Sequence, residues 1–305
     1  MTSIRFSSSF ADDFTGLGLQ GPAVLFHGDA IDERGELAIQ NAKEVAQNHV
    51  PLSYDPEQME LTVSGSPILA ERCEEIFANY RNSSFLFEAT TLGFAELYCG
   101  IRAAIKLQVP QLNIVYVEPD DYSRSERGSD EFALTDVLTG YRPIPPAIVD
   151  LTSPDVEAGV FFLGFEPARL DRALEEYQMI VEKDIKILFG LPAFKAGWEL
   201  HSIVPHLTTL KERGSFAIAY CAANDPEAAF EALQNTRASL SAEQKMFIAP
   251  IGTKPCGIAA AIFASLYQDQ VGLVYDHPRR KPKRSAGVNV WRSFGAIFEY
   301  FRNGN

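Results

Sequence analysis

The residues best suited to chemistry lie in Ile251-Gly252-Thr253-Lys254-Pro255, where a glycine, a hydroxyl and an ammonium group separate an apolar strand from an alanine-rich helix. Backbone N–H groups at such a helix start lack partners and attract anions. Gly252 permits close backbone approach, Thr253 offers a hydroxyl and Lys254 a point charge, a set that suits a phosphate. The same residues also read as an ordinary helix start, with Thr253 as the cap and Pro255 in the first turn, and the two roles are compatible. Thr90 and Thr91 repeat the pattern without the charge. His27, Gly28 and Asp29 follow an apolar strand and are candidates to line the same kind of edge, although a histidine after a strand is also an ordinary loop residue. Tyr116 and Tyr275 end strands, where a ring can stack on a base or simply pack in the core. Glu118 and Asp276-His277 follow those tyrosines. A carboxylate there can accept sugar hydroxyls or merely close the strand.

Signatures of catalysis are missing. The chain has no Gly-x-Ser-x-Gly elbow, no His-Glu-x-x-His helix, no paired His/Cys metal set and no complete phosphate loop ending in Gly-Lys-Ser/Thr. No catalytic residue, metal ligand or cofactor is therefore assigned. Carboxylates from separate strand ends, Glu88, Asp29 and Glu118, could still converge in nucleosidase-like or glycosidase-like chemistry.

With 305 residues and a formal charge of −13, the chain can bury a full core but does not coat nucleic acid through a general basic surface. The local exception is Arg279–Arg284, five basic residues in six, which suits a nucleic-acid or other anionic contact. Cys73, Cys99, Cys221 and Cys256 show no metal-ligand spacing and read as buried thiols of a reducing compartment. The first residues carry no secretory pattern, and no stretch approaches the roughly 20 apolar residues of a membrane span, so a cytoplasmic protein without a membrane partner is expected.

These candidates need elements to position them. Apolar runs at Ala23–Phe26, Phe85–Phe87, Leu112–Val117, Val160–Phe165, Ile185–Leu188, Phe216–Tyr220 and Lys245–Pro250 read as strands. Between them, helical spacing predicts helices over Glu33–Asn48, from Ser66-Pro67 to Tyr80, up to Leu107, over Ala168–Val181, from Trp198 to Arg213, over Pro226–Leu240 and after Thr253. Pro51–Ser64 reads as irregular or as a short excursion, Asp120–Ser153 as a charged and proline-rich linker or long loop, and the segment after Arg284 as a short aromatic helix. Alternating strands and helices predict parallel sheets covered by helices.

The chain also repeats itself. Ser83–Pro119 and Lys245–Pro278 each run strand, Thr/Gly loop, alanine-rich helix and a strand closing in Val-Tyr-x-x-Pro, at Val115-Tyr116 with Pro119 and Val274-Tyr275 with Pro278. Val24–Gly28 matches Val160–Gly164 in the same way. The expectation is two tandem Rossmann-like α/β units, 1–145 and 146–305, related by a pseudo-twofold axis that brings Thr90-Thr91 and Gly252-Thr253-Lys254 to one crevice at the carboxyl ends of the strands.

The loop Ile251–Pro255 and its helix resemble the Gly-Gly-Thr-Lys-Pro signature of CRISPR-associated Rossmann-fold (CARF) sensor domains, and a chain with two such units resembles SAVED domains, which look like two fused CARF units. The resemblance is carried by Lys245–Pro278 in sequence and elsewhere by architecture alone. It departs from the pattern at Ile251, where the family has its first glycine, and in Thr90-Thr91-Leu92-Gly93, which has no lysine. What it implies is an antiviral sensor or accessory protein that binds a cyclic or linear oligonucleotide messenger and signals through an effector partner. The alternatives are a nucleotide, nucleoside or NAD hydrolase using the same crevice, and a ligand-free scaffold subunit with protein contacts through its acidic surface and Trp291–Phe301.

Overall fold

The computed structural model describes residues 2–19, 23–124, 132 and 134–300. Two compact units divide the chain. The first combines the residues up to Tyr122 with those from Pro282 onward, and the second is Ser123–Lys281. The division expected at 145/146 is thereby corrected, because the C-terminal segment belongs to the sheet of the first unit.

In chain order the first unit holds strand β1 (Thr2–Ala11), β2 (Ala23–His27), helix α1 (Glu33–Glu44), β3 (Ala46–Asp55), β4 (Glu60–Val63), β5 (Ser66–Leu69), α2 (Glu74–Phe77), β6 (Ser84–Glu88), α3 (Phe94–Lys106), β7 (Gln111–Val117) and the short β8 (Asp121–Tyr122). The second holds β9 (Thr135–Val137), β10 (Val156–Leu163), α4 (Pro167–Glu176), β11 (Asp184–Gly190), α5 (Trp198–Ile203), α6 (Leu207–Glu212), β12 (Ala217–Cys221), α7 (Pro226–Ala238), β13 (Lys245–Pro250), α8 (Lys254–Leu266), β14 (Val271–Leu273) and β15 (Arg279–Arg280). The chain then returns to the first unit with β16 (Ser285–Ala286) and β17 (Trp291–Tyr300).

The second unit is built on a five-stranded, all-parallel sheet in the order β12-β11-β10-β13-β14. Counted within this sheet the order is 3-2-1-4-5, the doubly wound order 3-2-1-4-5-6 without its sixth strand, and the direction in which strands are added reverses between β10 and β13. Phe161, Ile187, Phe189, Phe247 and Leu170 are buried together in its core. The first unit has an eight-stranded sheet, β1-β17-β7-β6-β2-β3-β4-β5. Its middle, β7-β6-β2-β3, is parallel and has the corresponding reversal between β2 and β6. Phe26, Phe77, Phe85 and Phe87 form an aromatic knot beside it, with centroids of 4.8, 5.0 and 5.1 Å from Phe26 to the other three. Both units are thus Rossmann-like α/β structures.

Several local expectations change. Helix α1 is capped by Asp32, which accepts from the Gly35 N–H at 2.9 Å, but it ends at Glu44 rather than Asn48 because Ala46–Asp55 pairs with β2 and β4. Pro51–Ser64 is not irregular: Val50, Leu52, Leu61 and Val63 bury one face of a hairpin. The tight turn to β5 is Ser64-Gly65, with φ of 48° and 82°, the two positive values that a two-residue hairpin loop requires. Ser66-Pro67 therefore opens an edge strand, where proline is tolerated, and only Ala70–Tyr80 turns helically, in short pieces.

The aromatic helix after Arg284 is a strand instead. β17 lies between β1 and β7, antiparallel to both, with Trp291, Phe294, Ala296 and Phe298 buried. The long segment Asp120–Ser153 contains β8, β9 and an isolated bridge between Arg142 and Tyr275, while 125–131 and 133 lie outside the described residues, as does Phe301. Among the described residues no helix is long and apolar enough to cross a membrane.

Candidate functional site

In the second unit the reversal point is formed by Leu163-Gly164 after β10 and by Ile251–Thr253 between β13 and α8. The two loops touch closely: a Cβ on Gly252 would stand 3.1 Å from the Leu163 carbonyl oxygen, and one on Gly164 would stand 3.3 Å from that of Ile251. Thr253 occupies the cap position of the 13-residue helix α8, yet its side chain caps nothing. Its hydroxyl donates to the Ala223 carbonyl at 2.6 Å and lies 3.2 Å from the Cys256 sulfur. No acceptor among the described residues takes the N–H of Gly252 or of Thr253. Lys254, the first helical residue, and Pro255 follow.

Arg169, near the start of α4, ties this edge together. Its Nε and Nη2 donate to both oxygens of Asp276 at 2.7 and 2.6 Å, its Nη1 donates to the Ile251 carbonyl at 3.2 Å, and its guanidinium lies 5.8 Å from the centre of the Tyr275 ring. Burial lowers the arginine's pKa and Asp276 raises it; the ion pair wins and the charge is retained. Asp276 is wholly buried, so its carboxylate serves Arg169. Tyr275 is half-buried, with its ring 5.0 Å from that of His277. Burial, the dominant cause, holds the His277 imidazole down at about 4 from its ordinary 6.5. Beneath the loop, the buried thiols of Cys221 and Cys256 are hydrogen-bonded to each other; that bond and Thr253 hold Cys256 below the ordinary thiol range.

In the first unit the same place is built from His27-Gly28 after β2 and Ala89–Gly93 after β6. A Cβ on Gly28 would come within 2.5 Å of the Thr91 carbonyl oxygen, so the approach requires glycine. The Gly28 N–H donates to the Thr91 hydroxyl at 3.0 Å, and the Val117 N–H donates to the Thr90 hydroxyl at 3.0 Å. The buried Glu88 carboxylate accepts the Thr90 N–H at 2.7 Å, the Thr91 N–H at 3.0 Å and the Thr91 hydroxyl. Thr90, Thr91 and Gly28 are therefore brought together, but by the protein's own carboxylate. His27 is half-buried beside them, its Nδ1 2.9 Å from the Gly28 carbonyl oxygen.

Tyr116 is buried, which pushes its phenol up, and the Arg34 guanidinium lies 5.8 Å from its ring centre while donating to the Val117 carbonyl at 2.7 Å. Glu118 is buried against the Arg292 guanidinium, and burial nevertheless raises its pKa. Asp29 is exposed. The run Arg279–Arg284 is divided between the units: Arg279 lies 3.7 Å from Asp136 on the β15–β9 ribbon of the second, whereas the Lys283 N–H donates to the Ile31 carbonyl of the first.

Sequence reasoning overlooked Arg34 and Arg169. The signal was an arginine in the first turn of the helix after β2 and of the helix after β10, each matched with a Val-Tyr pair. It also overlooked that Cys99-Gly100-Ile101 and Cys256-Gly257-Ile258 recur in the paired helices. Among the described residues no group of three or more His, Cys, Asp or Glu could hold a metal ion.

No protein-family model and no curated protein matches the chain. Among solved structures it has a weak likeness to a ketoreductase domain from the bacillaene assembly line, at 11% identity and a TM-score of 0.21, covering 81% of this chain and 62% of that one. At that score the likeness carries no argument about this chain.

Proposed function

We propose that the chain is a cytoplasmic sensor or accessory protein of antiviral defence that binds an oligonucleotide-type messenger and acts through a partner protein. One observation carries the ligand part. At the reversal point of the second unit the N–H groups of Gly252 and Thr253 have no acceptor among the described residues, and they precede a 13-residue helix whose first residue is Lys254. That is the arrangement that favours a phosphate: donors, a helix dipole and a positive charge at the carboxyl edge of a parallel sheet. Tyr275, half-buried on the same edge, offers a ring for a base. The defence role and the partner rest on the resemblance of the Gly-Thr-Lys-Pro loop, and the compartment on four free thiols.

A thermal-shift and calorimetric titration with a panel of cyclic and linear oligonucleotides tests the reading. The wild-type chain is expected to respond to at least one member, and Lys254→Ala to weaken that response about tenfold, the worth of one charge-assisted contact. Absence of any response across the panel, or an unchanged affinity in Lys254→Ala, refutes the assignment.

A further inference from the structure

The loops after β6 and β13 hold the same place in their units, each leaving the strand that lies across the reversal point from its neighbour, β2 in the first unit and β10 in the second. They differ in the last strand residue, Glu88 in one and Pro250 in the other. Glu88 folds back under its own loop and receives two backbone N–H groups and a hydroxyl. The Thr91 hydroxyl that donates to it also accepts the N–H of Gly28, so the cradle spans both sides of the reversal point. The carboxylate is wholly buried and, among the described residues, has no basic side chain within 4.0 Å. Peptide dipoles and one hydroxyl alone hold it, as they would hold one face of a phosphate. Pro250 has no carboxylate to offer, and the N–H groups of Gly252 and Thr253 have no acceptor among the described residues.

We infer that Glu88 is a resident anion: it fills in the first unit the cradle that the second unit leaves open, so the first unit's loop is closed to a ligand's phosphate. The inference rests on the reading of the second unit's loop as a phosphate site. It assigns the chain one such site rather than a matched pair, and it makes the first loop a latent anion site that appears when the side chain is shortened. A carboxylate that only staples the loop through its covalent tether behaves differently, because a free anion could not replace it.

Formate is the probe, since it is the carboxylate of Glu88 without its stem. Glu88→Ala is expected to melt below wild type, and formate at tens of millimolar should restore at least half of the lost melting temperature. Formamide of the same shape, and chloride at matched ionic strength, should restore none, and wild type should not respond to formate. Equal rescue by formate and formamide, or an equal gain in wild type, overturns the inference. Should Glu88→Ala fail to fold, Glu88→Gln keeps the shape but presents an amide to donors, and the Thr90 and Thr91 amides should then exchange with solvent at least tenfold faster than in wild type. Unchanged protection there overturns it as well. Failure of the messenger reading shows separately, as an oligonucleotide panel without effect on wild type, which the formate experiment does not depend on.

Discussion

A buried guanidinium recurs in both units, Arg34 against Tyr116 and Arg169 against the matching Tyr275, but with different partners. Arg169 finds a full carboxylate in Asp276, whereas Arg34 meets the Val117 carbonyl and stands 3.9 Å from Asp32. Position for position, Val117 and Asp276 follow the repeated Val-Tyr, so one substitution decides whether the arginine is neutralised directly. Next to that pair, His277 sits at φ 43° with its imidazole held at about 4. Below pH 6.5 the unfolded chain takes up a proton that the folded chain refuses, so this residue's contribution to stability is present above 6.5 and is lost as pH falls toward about 4. His277→Asn keeps a side chain that tolerates positive φ and removes the titration. Urea unfolding of wild type and variant across that range should show a shallower loss in the variant, by on the order of 2 kcal/mol after allowing for partial exposure.

At the level of elements, strand β17 is where pattern and packing disagree most. Trp291, Phe294 and Phe298 fall at helical intervals, but the unbroken pairing from Trp291 with Val117 to Tyr300 with Thr2 makes the segment a strand, with Phe294 and Phe298 on one face of the sheet and Trp291 on the other. Trp291 meets the ring of Phe14 edge-on at 5.5 Å. Phe294→Ala should therefore cost about 3–5 kcal/mol in chemical unfolding, the loss for a buried ring, where an exposed aromatic helix would lose almost nothing. The parallel strands were legible because Phe161-Phe162, Phe85–Phe87 and Met246–Ala249 are unbroken apolar runs before glycine- or threonine-bearing loops. β1 was not, since Ser3, Ser7, Ser8 and Ser9 dilute its alternation and its partner is at the other end of the chain. The loop residues were legible by type alone. That the Thr90-Thr91 donors face Glu88 depends on how one side chain folds back, which no spacing reveals.

For the molecule as a whole, the two units differ in how they are drawn from the chain. The second is continuous, Ser123–Lys281, with its five strands and the Gly252–Lys254 loop all inside that span. Expressed alone, it should fold cooperatively and retain the response to any oligonucleotide that the full chain binds; near-ultraviolet circular dichroism and the same titration check this. The first unit is discontinuous. A chain ending at Lys281 should lose its native signal there, because β17 separates β1 from β7 and hydrogen-bonds to both. Its removal strips two strands from an eight-stranded sheet rather than trimming a tail. The same arrangement dictates an order of events on the ribosome. β1 emerges before the second unit and finds no partner until β17 has left the exit tunnel, by which time the whole of the second unit, which ends at Lys281, has left it too and is free to fold. The sheet that holds β1 is thus completed after the one encoded between its strands.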